Sequence, residues 1–166
     1  MELTLKNLEE IVKNAPKIYF DMDGVLAKWQ IDAKFEEIFE PNYFKNLPKW
    51  NGYHLLKELL KKYKNKIYIL SAYLTDVPYP LEDKNSWLNK FFPEIEKTHR
   101  IFVPYGHDKN DFVDAKDCIL IDDFSKNLFS WEESGGIGIK YINGINSNNN
   151  SWINHGGYTI SYKLFE

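Results

Sequence analysis

The sequence has little of several features that define other protein classes. It contains one cysteine, Cys118, which excludes an intramolecular disulfide and a cysteine-rich zinc site. Its longest nearly apolar run, residues 67–74, is eight residues long, whereas a membrane-spanning helix needs about 20. The first residues include Glu9 and Glu10 and no apolar signal-peptide core. These absences favour a cytoplasmic protein without a membrane partner.

The charge balance excludes another class. The 21 Lys and Arg residues and 24 Asp and Glu residues leave a net charge of −3 at pH 7. A protein held on a nucleic-acid polymer mainly by charge needs a broad positive field, which this chain lacks. The 11 Phe, 11 Tyr and 5 Trp residues supply far more aromatic surface than a disordered chain has. A length of 166 residues then predicts one folded domain.

Short apolar segments alternate with amphipathic segments along this chain. The apolar segments predict five strands, at residues 18–20, 66–70, 100–103, 118–121 and 137–142. Apolar residues at helical spacing predict helices at residues 3–14, 53–63, 82–92 and 125–134. Alternation of this kind predicts an α/β fold, with a three-layer α/β/α, Rossmann-like parallel sheet.

Two stretches depart from the alternation. Residues 27–51 contain a short helix candidate at 32–39 and then proline and aromatic residues, and we interpret them as a small helical cap insertion over the carboxyl edge of the sheet. Near the end, residues 158–165 alternate weakly, as in an added strand. We therefore expect one α/β domain over residues 1–145 that contains the insertion, and a C-terminal linker with a candidate strand over 146–166.

Polar side chains follow four of the predicted strands. In a parallel α/β sheet, ligands bind beyond the carboxyl ends of the strands, so these side chains are expected to converge in one site. They are Asp21, Asp23, Ser71, Lys109, Asp122 and Asp123.

The Asp-x-Asp pair indicates a cation. Residues i and i+2 of an extended chain face the same way, so the carboxylates of Asp21 and Asp23 would meet and repel unless a proton or cation lay between them. With Asp122 added, the ligands are all oxygens, which suits Mg²⁺. Taken alone, each such aspartate could instead cap a turn. The clustering of several carboxylates favours the metal site.

Two further residues could bind an anion. The Ser71 hydroxyl and nearby backbone N–H groups can donate to a phosphate, and Lys109 can neutralise its charge. Taken singly, Ser71 is more often a helix cap and Lys109 more often a solvated loop residue. Their positions beside the carboxylates favour a phosphate site.

Four segments of the sequence resemble the motifs of a known superfamily. Residues 18–26, 69–71, 109 and 120–123 resemble, in order, the four motifs of the haloacid dehalogenase (HAD) superfamily of phosphatases. More narrowly, the chain resembles the 5′(3′)-deoxyribonucleotidase family in residues 21–27, in residues 83–87, in Asp108-Lys109 and in residues 122–138. The resemblance covers residues 18 to 145.

The resemblance implies a role for each residue. Asp21 would be the nucleophile that forms an aspartyl-phosphate, and Asp23 would act first as general acid and then as general base. Mg²⁺ would be held by Asp21, Asp23 and Asp122, with Asp23 contributing its backbone carbonyl and Asp123 in a supporting role. The phosphoryl oxygens would be bound by Ser71, Ala72 and Lys109.

The resemblance also implies a function. It predicts a Mg²⁺-dependent phosphomonoester hydrolase whose partner is a small phosphorylated substrate, with (deoxy)nucleoside monophosphates as the preferred class and another small phosphate as the alternative. The cap interval is shorter than in the nucleotidases. Trp29, Phe44 and Trp50 therefore either stack on a base or pack the insertion onto the core.

Two other functions use similar residues. A phosphorylatable signalling receiver has its acidic pair first, whereas here Asp-x-Asp comes first and the acidic pair last. A member that only binds phosphate would not need all the polar positions, and all of them are intact. The sequence does not indicate an oligomeric state.

Overall fold

A six-stranded parallel sheet, in the order β3-β2-β1-β4-β5-β6, forms the centre of the molecule. The computed structural model describes residues 1–146 and 149–165. The strands are β1 (Ile18–Phe20), β2 (Ile67–Tyr73), β3 (Arg100–Pro104), β4 (Ile119–Asp122), β5 (Ile137–Ile142) and β6 (Tyr158–Ser161). The helices are α1 (Leu5–Asn14), α2 (Gly52–Tyr63), α3 (Tyr79–Phe91), α4 (Ser125–Glu133) and α5 (Asn150–Asn154). This architecture confirms the predicted α/β Rossmann-like fold class.

The sheet separates two apolar cores, which explains why its central strands are apolar throughout. Alternate residues of β1 point to opposite faces: Ile18 and Phe20 enter one core, and Tyr19 enters the other. The first core is covered by α1, α2 and α3, and the second by α4 and α5. Because both faces are covered, β1 and β4 are buried at every residue.

Helix boundaries follow local signals, and the starts of α1 and α3 depart from the predicted bounds by two residues or more. α1 begins at Leu5 because the Thr4 hydroxyl caps it, accepting a 3.2 Å hydrogen bond from the Asn7 N–H. α3 begins at Tyr79, three residues before the predicted start. Pro80 lies in its first turn, where a missing N–H costs nothing.

The segment predicted as a cap insertion has little regular structure. It contains two short 3₁₀ turns, Phe35–Phe39 and Phe44–Asn46, in place of the predicted helix over 32–39. The Lys28 N–H donates to the Pro48 carbonyl at 2.8 Å, which pairs the two ends of the segment.

The same segment is attached to the core through α3. The Trp87 indole N–H donates to the Leu47 carbonyl at 2.8 Å, and Leu47 is buried. This bond and the burial of Leu47 hold the segment against α3.

The C-terminal part of the chain returns to the sheet. β6 pairs in parallel with β5 and is followed by a 3₁₀ turn, Tyr162–Phe165. Residues 1–3 pair with the outer side of β6, through Leu3 N to Thr159 O at 2.7 Å and Thr159 N to Met1 O at 2.9 Å. Residues 147–148 of the predicted linker and residue 166 lie outside the described residues.

Within residues 1–146 and 149–165, no helix is long and apolar enough to cross a lipid bilayer.

Candidate active site

The central strands bring the predicted polar residues together. Asp21 directly follows β1, and Asp122 ends the adjacent strand β4. Lys109 opens a 3₁₀ turn in the loop after β3. Ser71 lies inside β2, because that strand runs on to Tyr73, beyond its predicted end at residue 70. Ala72 is the next residue of β2, and its carbonyl accepts a 3.3 Å hydrogen bond from the Ser71 hydroxyl.

Lys109 links two of the carboxylates. Its ammonium lies 2.9 Å from Asp21 Oδ1 and 2.7 Å from Asp122 Oδ2, and the residue is 2% exposed. Burial by itself lowers the pKa of Lys109, but the charges of Asp122 and Asp21 outweigh burial and raise that pKa above its ordinary value. Lys109 is therefore a buried cation at neutral pH.

The carboxylates form a cluster with excess negative charge. Oxygen atoms of Asp21, Asp122 and Asp123 lie within 4.8 Å of one another. Burial, and then the charges of Asp122 and Asp23, raise the pKa of Asp21 to about 7 against the opposing effect of Lys109. Burial, and then the charges of Asp122 and Asp21, raise the pKa of Asp123 well above its ordinary value. Among these three carboxylates, Lys109 forms ion pairs with Asp21 and Asp122 only, so the site favours an added cation or a bound proton.

The oxygens of Asp122 are already occupied by donors. Its Oδ1 accepts from the Phe124 N–H at 2.9 Å, and its Oδ2 accepts from Lys109 and from Asn127 Nδ2, the latter at 2.9 Å. The residue has no exposed surface. Asp122 therefore fixes Lys109 and the start of α4.

Among the described residues, Asp21 and Asp123 each keep one carboxylate oxygen that accepts no hydrogen bond. Asp123 Oδ2 accepts two amide hydrogen bonds, and Asp21 Oδ1 accepts from Lys109. Within the described part of the chain, no hydrogen-bond donor contacts the other oxygen of either residue, and neither oxygen is fully buried. Asp21 Oδ2 and Asp123 Oδ1 are therefore available to a ligand.

A second buried lysine, Lys84 of α3, was missed by the sequence analysis. It is 1% exposed, forms an ion pair with Asp23 and donates to the Ser71 hydroxyl at 3.1 Å. The signal was its helical phase: Lys84 precedes Trp87 and Leu88 by three and four residues, so it shares their buried face. A lysine on such a face needs an acidic partner.

Asp23 lies at the mouth of the site. Its side chain is 30% exposed, and its Oδ2 accepts a hydrogen bond from the Lys84 ammonium. Its Oδ1 is buried and has no hydrogen-bond partner among the described residues. A carboxyl group with this partial exposure can take or give a proton at a bound ligand.

The predicted aromatic residues have different surroundings. Trp29 lines an open cavity of about 540 Å³, together with Lys28, Pro48 and Ile145 among others. The ring of Phe44 lies under the Lys84 ammonium, 4.8 Å from ring centre to nitrogen. Trp50 instead stacks on Tyr162, with ring centres 5.9 Å apart. Trp50 thus packs against the C-terminal turn, while Phe44 lies beside the site.

Comparisons with known proteins identify a family and a fold. Residues 28–154 match the model of the family described as 5′ nucleotidase, deoxy (pyrimidine), cytosolic type C protein. A HAD family hydrolase from Deinococcus radiodurans R1, solved with bound phosphate and sodium, is similar in structure, with a TM-score of 0.61. It is 10% identical, and the match covers 89% of this chain and 91% of that one.

A second solved structure shares the fold. A hydrolase from Pseudomonas syringae matches with a TM-score of 0.51 at 11% identity, over 87% of this chain and 92% of that one. Identities this low show likeness of fold alone. A search among curated proteins finds no match.

Proposed function

The chain belongs to the family of 5′ nucleotidase, deoxy (pyrimidine), cytosolic type C proteins, which are HAD-like phosphatases, and from this we propose that it hydrolyses (deoxy)nucleoside monophosphates in a Mg²⁺-dependent reaction. The observation that carries the proposal is the accessible oxygen of Asp21 beside the buried cation Lys109. A nucleophile next to a fixed positive charge is what phosphoryl transfer requires.

We propose that the metal ligands are Asp21 Oδ1, Asp123 Oδ1 and the backbone carbonyl of Asp23, which leaves Asp21 Oδ2 free to attack phosphorus. This differs from the expectation that Asp122 is a ligand, because Asp122 has no exposed surface and its two oxygens already accept three hydrogen bonds. The donors are all oxygens, as Mg²⁺ prefers. When bound, Mg²⁺ offsets the negative charge on the transferring phosphoryl group.

Asp21 acts as the nucleophile in this proposal. Its Oδ2 attacks phosphorus while Lys109 holds Oδ1, so the carboxylate keeps one orientation. The P–O bond to the nucleoside breaks as the new P–O bond to Asp21 forms, and Asp23 gives a proton to the departing oxygen. Asp23 then takes a proton from water, which attacks the aspartyl-phosphate, releases phosphate and restores Asp21.

Ser71, Lys84 and Lys109 are the proposed phosphate ligands. Lys84 already contacts both Ser71 and Asp23, so it lies between the phosphate position and the proton donor. Replacing Lys84 by methionine, which keeps its length and apolar stem, is expected to lower kcat/KM by about 100-fold, since a charge-assisted contact to the phosphate is lost.

The matched control for Lys84→Met is Lys90→Met, because Lys90 is an exposed lysine of the same helix. Phosphate release at varied substrate concentration measures both variants. Equal kcat/KM values for Lys84→Met and Lys90→Met would contradict a phosphate role for Lys84.

Trp29 and Phe44 are the aromatic side chains that we propose contact the base. Trp29 lines the open cavity, and Phe44 lies beside Lys84. Stacking of a base on such a ring contributes about 1–3 kcal/mol.

The proposed function predicts both substrate class and metal dependence. In a panel of nucleoside monophosphates (deoxy and ribo, 5′ and 3′) and sugar phosphates, we expect phosphate release from the nucleotides with Mg²⁺, none after EDTA treatment, and recovery when Mg²⁺ is restored. Hydrolysis of sugar phosphates but not nucleotides would favour a different small substrate. A stable aspartyl-phosphate without turnover would favour a receiver function.

A further inference from the structure

Three side chains of β5 and the loop after it hold Asp123, and we call them the β5 clamp: Lys140, Asn143 and Asn146. Lys140 is 2% exposed, and its ammonium donates to the Asp123 backbone carbonyl at 2.7 Å. The side-chain amides of Asn143 and Asn146 both donate to Asp123 Oδ2, at 3.1 Å and 2.7 Å. The main chain and the carboxylate of Asp123 are therefore both held by side chains of β5 and of the loop that follows it.

Asn143 is the centre of the clamp. It is 1% exposed, and its Nδ2 also donates to the Gly24 carbonyl at 3.1 Å. Its Oδ1 accepts from the backbone N–H groups of Ile145 and Asn146, each at 2.9 Å. Asn143 thus folds the loop that presents Asn146 and joins Asp123 to the loop that follows Asp23.

Gly24 shows how closely these segments approach. Its φ is +84°, in the left-handed region, and an added Cβ would collide with Asp123 Oδ2. The Asn143 amide lies 3.1 Å from the same Cβ position. The Asp23–Gly24 backbone and the Asp123 carboxylate therefore keep a fixed spacing.

We propose that the β5 clamp positions Asp123 for cation binding: two amide donors occupy Oδ2, and Oδ1 is left to face the cation. Rotating the carboxylate plane away from this orientation would break both amide hydrogen bonds. Asn143 and Asn146 are positioning residues, because they act through Asp123. The inference rests on the proposed function's assignment of Asp123 as a cation ligand.

Binding of Mn²⁺ to the metal-free protein, followed by calorimetry without substrate, tests the clamp. Asn146→Ala is expected to weaken Mn²⁺ binding by about 10-fold, as loss of a partner of a metal ligand does. Its kcat at saturating Mg²⁺ is expected to stay within about threefold of wild type, because the ligand itself remains. The control Asn154→Ala removes an exposed asparagine of α5 and leaves binding unchanged.

A second comparison separates positioning from general loss of structure. In an Asp123→Asn background, adding Asn146→Ala is expected to cause no further loss of Mn²⁺ affinity, because the residue through which it acts is gone. A further loss there, or an unchanged Mn²⁺ affinity of Asn146→Ala alone, would overturn the clamp.

Failure of the proposed function gives a different result. A wild-type protein that binds Mn²⁺ but releases phosphate from no substrate would refute the hydrolase and leave the clamp intact if Asn146→Ala still binds more weakly. A wild-type protein that hydrolyses nucleotides while Asn146→Ala binds Mn²⁺ normally would refute the clamp alone.

Discussion

Replacing Asp21 by asparagine is expected to lower kcat by at least about a thousandfold while leaving the fold intact. The amide cannot attack phosphorus, and no other accessible carboxylate oxygen has Lys109 beside it within the described residues. Single-turnover reactions with radiolabelled substrate measure the loss directly, since wild type is expected to retain an acid-stable, hydroxylamine-sensitive label and the variant none.

Although the activity of Asp21→Asn is expected to fall, its stability is expected not to fall. The Asp21 pKa is raised by burial, and then by neighbouring charges, from 3.8 to about 7. An acidic group whose pKa is higher in the folded protein than in the unfolded protein lowers the free energy of unfolding as pH rises from the unfolded pKa to the folded pKa. Asparagine has no such charge, so the metal-free variant is expected to be at least as stable as wild type above pH 7.

Asp117→Asn is the control for this substitution. Asp117 is exposed just before β4, at the opposite end of the sheet from the site, with a φ of 60° that asparagine tolerates. Turnover of Asp117→Asn is expected to equal that of wild type. Substantial phosphatase activity in Asp21→Asn would reject Asp21 as the nucleophile.

Replacing Lys109 by methionine is expected to reduce both activity and stability. The phosphoryl group loses a fixed cation and Asp21 loses its orienting contact, so kcat is expected to fall at least about a hundredfold. Asp21 and Asp122 lose their shared buried cation, and breaking such a buried pair costs about 3–5 kcal/mol of unfolding free energy.

The pH dependence of Lys109→Met follows from the same contacts. Lys109 lowers the pKa of Asp21, so its removal raises that pKa and makes protonation easier. The stability deficit of the metal-free variant is therefore expected to shrink as pH falls towards about 7 from above, where Asp21 is already protonated in the variant but still charged in wild type. Urea unfolding at two pH values measures it, with exposed Lys116→Met as the control. If Lys109→Met had the same unfolding free energy as wild type at neutral pH, Asp21 and Asp122 would not form charged pairs with Lys109.

The fold was predictable because its signals are local. The apolar runs at β1 and β4 and the amphipathic pattern of α2 lie within single segments, and each element depends on its own residues. The family resemblance was confirmed by the family-model match over residues 28–154. The exact bounds were less accurate: Ser71 lies inside β2 because pairing with β3 extends that strand.

The hydrogen-bonding partners at the site were not predictable. Asp122 and Asp123 are adjacent and identical in type, so the sequence does not say which one keeps a free oxygen. That is decided by Asn127 on α4 and by Asn143 and Asn146 after β5, which the fold alone brings near. The contact of Lys84 with Asp23 likewise joins two elements far apart in sequence.

The pairing of residues 1–3 with β6 has a consequence for self-association. An uncovered edge strand offers free N–H and C=O groups on which another chain can add a strand and start an aggregate. At the β6 edge, the backbone of Leu3 and Met1 occupies both groups of Thr159. The opposite edge is β3, which begins with a charged Arg100 and ends with Pro104, a residue that has no N–H to donate. Each edge of this sheet therefore carries its own obstacle to strand addition.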